Sequence, residues 1–432
     1  MKSLLLFFCF IMGGLSQLKA AELGAPTALV EHAKAHPTGD AAFSLDKSAW
    51  SGETRNLPIG VFDSGIGGLT VLEALLKLDA YHNDTLQPGA DGKPDFAQER
   101  FIYFGDQANM PYGNYPAADK TPYLRELILK DAIFLLGKRF HPAADQPPAL
   151  TKLPVKAIVI ACNTATAYGL QDLREAMAAW EIPVIVIGVV EAGARGVLES
   201  KPTADGAIGV LATVGTCSSG AYPKAITSTL GLAGRSIPAI VQQGSVELAG
   251  VIEGNPAFPG TAAETALRDV RTLLETHRKN GGTQPISTIV LGCTHFPLVR
   301  QEIEAAFETL HRDPAWQTLT AAPRTYIDPA EWTARELFRE LAKARLRLKD
   351  GESCLTPADQ FFLSIPNPAC AGIKLAPDGG LEYGYKYGRA TGEFDREDTI
   401  NILLTNDTLP KTSAALVRGK LPLVWSRLEK PD

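Results

Sequence analysis

The chain has 432 residues, of which 45% are hydrophobic and 21% are charged, and its formal net charge is −6. This is the composition of a globular protein long enough for about two or three domains. The mild acidity provides no basic surface for nucleic acid or for an anionic membrane, so it argues against both as partners.

The first twenty residues differ from the rest of the chain. One lysine precedes an apolar run from Leu4 to Leu15, and a polar stretch then ends at Ala20 and Ala21. This order is typical of a secretory signal peptide cleaved after Ala20, although a buried N-terminal helix is the alternative. Because a span needs ~20 apolar residues, we expect no stable membrane insertion once the peptide is removed. The sequence therefore predicts export, to a bacterial periplasm.

Strand and helix patterns alternate after a polar stretch over residues 21–56, which we interpret as a linker. Residues 57–63 form the first predicted strand, and residues 68–78 form a helix with leucines three or four positions apart. The later predicted strands are short and almost wholly apolar, near residues 100–106, 155–161, 183–188, 207–212, 237–241, 286–291 and 324–327. Short apolar strands separated by helices indicate an α/β fold with a parallel sheet covered on both faces.

Polar and reactive residues follow several of these strands. Ligands of open parallel sheets bind beyond the carboxyl ends of the strands. Four segments belong to that edge: Asp63-Ser64, Gly105-Asp106, Cys162-Asn163-Thr164 and Cys293-Thr294-His295. Taken singly, each has a structural explanation, since a buried cysteine is more often a small apolar residue than a catalyst. The glycines of "DSGIGG" match no nucleotide-binding motif.

Together these residues suit one reaction in particular. A thiol is a weak base until its neighbours tune its pKa, and here two thiols share an edge with a carboxylate and an imidazole. A pair of thiols on opposite faces of a substrate can remove and return a proton at a stereocentre, with one acting as base and the other as acid. The pattern therefore favours a two-base racemase that uses Cys162 and Cys293.

Several longer motifs carry a resemblance to a known family. In chain order they are "IGVFDSGIGGLTVL", "GDQANMPYG", "ACNTATA", "GVVEAG", "LGCTHFPLV", "IDPAEWTARELF" and "DQFFLSIPNP". Over roughly residues 57–368 the chain resembles the bacterial glutamate racemases of the cofactor-independent aspartate/glutamate racemase superfamily. The resemblance implies interconversion of L- and D-glutamate without pyridoxal phosphate and without a metal, and a small amino acid as the binding partner.

The resemblance also implies roles for individual residues. Cys162 and Cys293 match the catalytic cysteines, Asp63 would tune Cys162, and His295 would tune Cys293. The implied substrate-binding residues are Asp63, Ser64, Tyr112, Gly113, Asn163, Thr164, Thr294 and His295. The family carries a Cys-Pro-Leu segment followed by an acidic residue, whereas this chain has "VQQGSVELAGVIEGN". Glu253 is the candidate for the acidic place, and Glu247 competes with it.

The fold implied by the resemblance is two pseudo-symmetric lobes, each with a mostly parallel sheet, around an active site in the cleft between them. We assign one lobe to residues 57–182 and 297–368 and the other to residues 183–296. Residues 369–432 form a C-terminal extension without an interpretable motif. The oligomeric state stays open, a homodimer included.

Six cysteines occur, and Cys9 lies within the predicted signal peptide, which leaves five. In an oxidising compartment an odd number leaves at least one thiol unpaired unless a partner chain pairs with it. None of the cysteines has the spacing of a zinc site, so we expect no metal. Cys354 and Cys370 are the better candidates for a disulfide, and Cys217 is expected to be a buried structural thiol.

Three alternatives remain at this point. An aspartate racemase of the same superfamily is the nearest, and a decarboxylase or isomerase of the same fold would usually lack one of the two cysteines. An exported amino-acid-binding protein without turnover would not require two thiols. The predicted export also separates the chain from the cytoplasmic role of the family, which is to supply D-glutamate for peptidoglycan precursors.

Overall fold

The computed structural model describes residues 24–38, 41–202, 205–255, 257–405, 408–409 and 411–429. The predicted signal peptide, residues 1–20, lies outside the described residues. None of the helices in the described part of the chain combines the length and the apolar character that a membrane span requires.

The strands of the described residues form two sheets. They are β1 Ile59–Asp63, β2 Phe101–Gly105, β3 Ala157–Ile160, β4 Ile185–Gly188, β5 Ala207–Thr213, β6 Ala239–Ser245, β7 Ile286–Gly292, β8 Thr320–Ile327, β9 Gln360–Pro366 and β10 Thr399–Leu403. The first sheet has the order β10-β9-β2-β1-β3-β4, and the second has the order β6-β5-β7-β8. All neighbours pair in parallel except β9 and β10.

Helices connect these strands and cover both sheets. They are α1 Gly24–Ala35, α2 Leu69–Lys77, α3 Thr121–Leu136, α4 Asn163–Trp180, α5 Val189–Glu199, α6 Val214–Ser218, α7 Ala221–Leu232, α8 Leu248–Ile252, α9 Ala262–Lys279, α10 Arg300–His311, α11 Pro329–Lys343, α12 Tyr383–Lys386, α13 Lys411–Lys420 and α14 Pro422–Glu429. Short 3₁₀ turns lie at Lys47–Trp50, Gln107–Asn109, Tyr112–Asn114, Pro116–Ala118, Phe296–Val299 and Gln317–Leu319.

Each sheet has an apolar core on both of its faces. In the first lobe α1, α3 and α4 cover one face, and α2, α11 and α14 cover the other. In the second lobe α9 and α10 cover one face, and α5 and α7 cover the other. Because strands buried on both faces have no solvent side, they read as continuous apolar runs, as in β1 and β2. The predicted α/β fold with two mostly parallel sheets is confirmed.

The strand pairing corrects both lobe boundaries. β4 pairs with β3 in the first sheet, although we assigned residues 183–296 to the second lobe. β8 pairs with β7 in the second sheet, although we assigned residues 297–368 to the first lobe. Each time the chain is about to pass to the other lobe, it first adds one more parallel strand to the sheet of the lobe it is leaving. The motifs near the cysteines do not reveal that step, because it depends on pairing between distant segments.

The predicted linker over residues 21–56 is wrong for the part that the structure describes. Helix α1 packs on the first lobe through the apolar side chains of Leu29 and Ala33, which are buried. Trp50 is also buried and donates its indole N–H to the carbonyl of Val155 at 3.0 Å. The apolar positions of α1 recur at helical spacing, but only the surfaces of α3 and α4 make that short helix part of a core.

The cysteine pairing is wrong as well. All five cysteines of the described chain are free thiols. Cys354 precedes strand β9 and Cys370 follows it, so a strand of seven residues, about 20 Å long, lies between them in the chain. Cys217 is partly exposed rather than buried. Burial of its thiol nevertheless raises its pKa to about 12.

Candidate active site

The first lobe brings Asp63 and Cys162 to the carboxyl edge of its sheet. Asp63 is the last residue of β1, and its Oδ2 accepts a hydrogen bond from the Gly68 amide at 2.9 Å. Cys162 follows β3 and caps α4, where its Sγ accepts from the Ala165 amide at 3.4 Å. The Cys162 thiol lies 3.7 Å from Ser64 Oγ. Because β1 and β3 are parallel neighbours, the residues that follow them meet at one place.

The second lobe brings Cys293 to the carboxyl edge of the other sheet. His295 Nδ1 lies 3.8 Å from Cys293 Sγ and 3.5 Å from Thr294 Oγ1. The other ring nitrogen, Nε2, lies 2.8 Å from Glu253 Oε1, just after α8. Glu247 instead pairs with Arg268 at 2.7 Å on the surface. Of the two acidic candidates, Glu253 is therefore the one that contacts the site.

The two thiols have different electrostatic surroundings. Burial raises the pKa of Cys162, and the negative charge of Asp63 raises it further, so the protonated thiol is favoured. Burial would lower the pKa of His295, but Glu253 and Cys293 outweigh it and raise that pKa well above its usual value. The raised pKa favours the imidazolium form of His295, whose Nδ1 lies 3.8 Å from the Cys293 sulfur.

Charge also acts across the cleft. Burial raises the pKa of Asp63, and the positive charge of His295 on the other lobe opposes that rise. The cleft therefore joins the carboxylate of one lobe and the imidazole of the other into one electrostatic site, with one thiol on each side.

The cleft is closed in this structure. Cys162 is 6% exposed and Cys293 is 5% exposed. Thr70 Oγ1 donates to the Thr294 carbonyl at 2.9 Å, which joins the first lobe to the second. Both cysteines are therefore shielded from solvent in this structure.

Two further polar contacts across the cleft involve residues that sequence reasoning missed. The Tyr222 hydroxyl donates to Asn163 Oδ1 at 2.6 Å, and Thr216 Oγ1 lies 3.2 Å from Thr164 Oγ1. Thr216 lies in "ATVGTCSSG", just after the predicted strand over residues 207–212. The position of Thr216 after a predicted strand could have identified it as a site residue. It was not predicted because no charged side chain lies beside it at that strand end.

Tyr112 does not present its hydroxyl to the cleft. Its Oη lies 2.5 Å from Asp106 Oδ2 and 2.6 Å from Asp131 Oδ2, and all three side chains are buried. A phenol has one proton, so two contacts this short require a second proton on one carboxyl group. Asp106 also accepts from Ser364 Oγ at 2.6 Å and from Asn109 Nδ2 at 2.8 Å, which suits the ionised form. Burial raises the pKa of Asp131 well above its usual value, so Asp131 carries the proton.

The shared proton leads to a prediction for Asp131→Asn. The amide is neutral like the carboxylic acid, so we expect the free energy of unfolding at pH 7 to stay within about 1 kcal/mol of wild type or to rise. The folded pKa lies above the ordinary 3.8, so the stability that Asp131 contributes is complete below pH 3.8 and is lost as pH rises through the folded value. Urea unfolding should show that the free energy of unfolding of the variant, relative to wild type, rises steadily from pH 4 to pH 8.

Asp172→Asn is the matched control. Asp172 is also buried but forms an ion pair with Arg125 at 2.5 Å, so the loss of its charge should destabilise the protein at pH 7. A stability difference between Asp131→Asn and wild type that stays constant from pH 4 to 8 would show instead that Asp131 is ionised throughout that range.

Comparison with known proteins decides the family. The Asp/Glu/Hydantoin racemase family model matches residues 139–337. The chain is 33% identical over 307 residues to the glutamate racemase of Pediococcus pentosaceus, covering 71% of this chain and 89% of that protein. The chain belongs to the glutamate racemase family. It is also 32% identical to the glutamate racemase of Oceanobacillus iheyensis, covering 70% of this chain and 85% of that protein.

Solved structures agree with this assignment. The crystal structure of glutamate racemase isoform RacE1 from Bacillus anthracis is 28% identical, covers 72% of this chain and 89% of that one, and has a TM-score of 0.50. The protein is thus an amino-acid racemase, an isomerase with the mixed α/β fold of that family.

Gly113 and Gly215 bring the backbones of the two lobes close together. Gly113 belongs to the first lobe and Gly215 to the second, and a Cβ added at Gly215 would lie 2.6 Å from Gly113 Cα. Backbone cannot yield at that distance, so Gly215→Ala should hold the lobes apart. A displacement of 1 Å can cost about 10²-fold in rate, and we expect a loss of that order in kcat/KM.

Gly231→Ala is the control for this prediction, because an added Cβ there meets no atom within 4 Å. Gly231 lies in helix α7, where alanine is favoured by roughly 0.5–1 kcal/mol, so Gly231→Ala should not unfold more easily than wild type. Steady-state kinetics and thermal unfolding of both variants check the prediction. Normal kcat/KM in Gly215→Ala would mean that this contact is not required for turnover.

Proposed function

We propose that this racemase interconverts L- and D-glutamate by proton transfer between Cys162 and Cys293. The observation that carries the proposal is the pairing of one buried thiol from each lobe with its own charged neighbour. Asp63 adjoins the first thiol, and His295 with Glu253 adjoins the second. The relatives that share about one third of the sequence are glutamate racemases, which supports glutamate as the substrate.

The proton moves from one face of the substrate to the other. A thiolate takes the proton from Cα and becomes a thiol, and the electron pair of the broken bond delocalises towards the substrate carboxylate. The second thiol then donates its proton to the opposite face of Cα and becomes a thiolate. Burial and the Asp63 charge favour the protonated form of Cys162, which suits it as the acid in one direction, and the reverse reaction exchanges the roles of the two thiols.

Substrate binding would replace the hydrogen bonds that now close the cleft. Ser64, Asn163, Thr164 and Thr294 would present their side chains to the carboxylate and ammonium groups of the amino acid. Tyr112 would contribute through its backbone rather than its hydroxyl, together with Gly113. Preorganised donors of this kind stabilise a developing carbanion, and each is worth several kcal/mol in enzymes that use them.

Exchange at Cα tests both the reaction and the substrate. Mature protein, reduced and without added cofactor, is incubated in D₂O with one L- or D-amino acid at a time, and the Cα proton is followed by NMR. We expect glutamate to lose chirality, with deuterium in the newly formed enantiomer. Exchange on aspartate alone would identify aspartate, not glutamate, as the substrate. If the folded protein exchanges the Cα proton of no amino acid, a binding protein without turnover would be favoured.

We also propose that the protein acts outside the cytoplasm, on the basis of the leader-like residues 1–20. An exported enzyme would make or remove D-glutamate away from the site of peptidoglycan precursor synthesis. N-terminal sequencing of the protein from a periplasmic extract should find a chain that begins at Ala21. Full-length chain confined to the cytoplasm would contradict export without affecting the proposed chemistry.

A further inference from the structure

We propose that the C-terminal extension positions the loop that carries Tyr112 and Gly113, and that Arg389 is its main positioning residue. We call residues 106–115 the substrate loop and keep the name extension for residues 369–432. The family model matches residues 139–337 and does not include the extension. The inference rests on the proposed function only for its kinetic readout.

The extension contacts the substrate loop next to Tyr112. Lys386 Nζ, at the end of α12, donates a hydrogen bond to the Met110 carbonyl at 2.7 Å. The Tyr387 hydroxyl donates to the Pro111 carbonyl at 3.4 Å. These two carbonyls immediately precede Tyr112, so both contacts restrict the backbone that would face the substrate.

Arg389 joins the two halves of the same loop. Its guanidinium donates to Asn109 Oδ1 and, at 3.2 Å, to the Tyr115 hydroxyl. Its side chain is 7% exposed, pairs with Asp398 at 3.0 Å, and lies 4.8 Å from the centre of the Tyr123 ring. A planar guanidinium can satisfy several acceptors in fixed directions, which an ammonium cannot do. One buried side chain of the extension therefore links positions on both sides of Tyr112.

The substrate loop transmits this support to both sides of the cleft. Met110 packs against the turn after β1, since a Cβ added at Gly65 would lie 2.5 Å from Met110 Sδ. Gly113 lies against Gly215 of the second lobe. The substrate loop thus lies between the extension on one side and, on the other, the turn after β1 and Gly215 of the second lobe. Its position depends on both sets of contacts.

The test compares Arg389→Ala with Arg396→Ala. Arg396 lies in the same extension but is exposed, and its hydrogen bonds go to Tyr385 and Ala371 within the extension. Hydrogen–deuterium exchange of peptides covering residues 106–115 should be faster in Arg389→Ala and unchanged in Arg396→Ala. We expect KM for glutamate to rise about tenfold or more with a smaller change in kcat, because misplacement of binding groups can cost up to 10²-fold.

Two more variants keep the inference testable. Arg389→Lys should be intermediate, since a single ammonium replaces two guanidinium nitrogens, of which Nη1 pairs with Asp398 and Nη2 contacts Asn109 and Tyr115. If Arg389→Ala fails to fold, Lys386→Met can be used instead, since it removes only the contact to Met110. It should also raise the exchange rate of residues 106–115 and KM, but by less. Unchanged exchange of residues 106–115 with unchanged KM would overturn the inference. A wild type that does not racemise glutamate would refute the proposed substrate, while the exchange experiment would still test the loop.

Discussion

Replacing either Cys162 or Cys293 by alanine is expected to reduce glutamate racemisation by about 10²–10⁴-fold, the range for loss of a positioned acid or base. The reason is that each face of Cα has only one thiol, and neither thiol can reach both faces. Each variant should keep the fold, since alanine only shortens the side chain by one sulfur. Chirality loss by polarimetry, with circular dichroism for folding, measures the outcome.

Deuterium exchange makes this prediction more specific. Each variant keeps one thiol, so it should at most exchange the Cα proton of a single enantiomer without inverting it, and the two variants should act on opposite enantiomers. Cys217→Ala is the control, because Cys217 is a partly exposed free thiol in the second lobe. Near-normal racemisation by either Cys162→Ala or Cys293→Ala would refute the two-base assignment.

Glu253→Gln is the second substitution expected to have a large effect. The carboxylate of Glu253 lies 2.8 Å from His295 Nε2, and both side chains are largely buried. An opposite charge at this distance shifts a pKa by about 1–3 units, so its removal should lower the pKa of His295 by that amount. The alkaline limb of kcat/KM should move to lower pH by the same interval, because the imidazolium beside Cys293 is lost earlier.

The stability of this variant should follow the same ionisation. The folded pKa of His295 lies above its ordinary value of 6.5, so its contribution is complete below pH 6.5 and is lost as pH rises through the folded value. Wild type should therefore exceed Glu253→Gln most clearly at about pH 6 and progressively less at alkaline pH. Glu247→Gln breaks only an exposed pair and should change neither profile. Overlapping pH profiles for Glu253→Gln and wild type would remove Glu253 from the proposed mechanism.

The extension changes how the first lobe is understood. Strand β10 adds an antiparallel edge to the sheet, and Glu73 of α2 accepts amide hydrogen bonds from Leu423 and Val424 at the start of α14. These contacts make the extension part of the folded lobe rather than an appendage. Support of the substrate loop by Arg389 is therefore a consequence of how the sheet is completed.

Local chemistry was sufficient for the fold class and for the placement of the thiols. Buried parallel strands are apolar throughout, so their ends are visible in the sequence, and Cys162 and Cys293 follow two of those ends. Parallel strands of one sheet share an edge, which makes neighbours of residues far apart in the chain. That rule alone predicts that Asp63 lies near Cys162. His295 lies near Cys293 because it is only two residues further along the chain.

Only the tertiary structure decided between groups of the same chemical type. Glu247 and Glu253 are alike in sequence, and the difference is that one lies beside Arg268 and the other beside His295. Tyr112 looked like a substrate ligand, but two buried carboxyl groups engage its hydroxyl. The lobe boundaries and the role of the extension depended on strand pairing. All of these outcomes arise from contacts between segments distant in the chain, which no local pattern records.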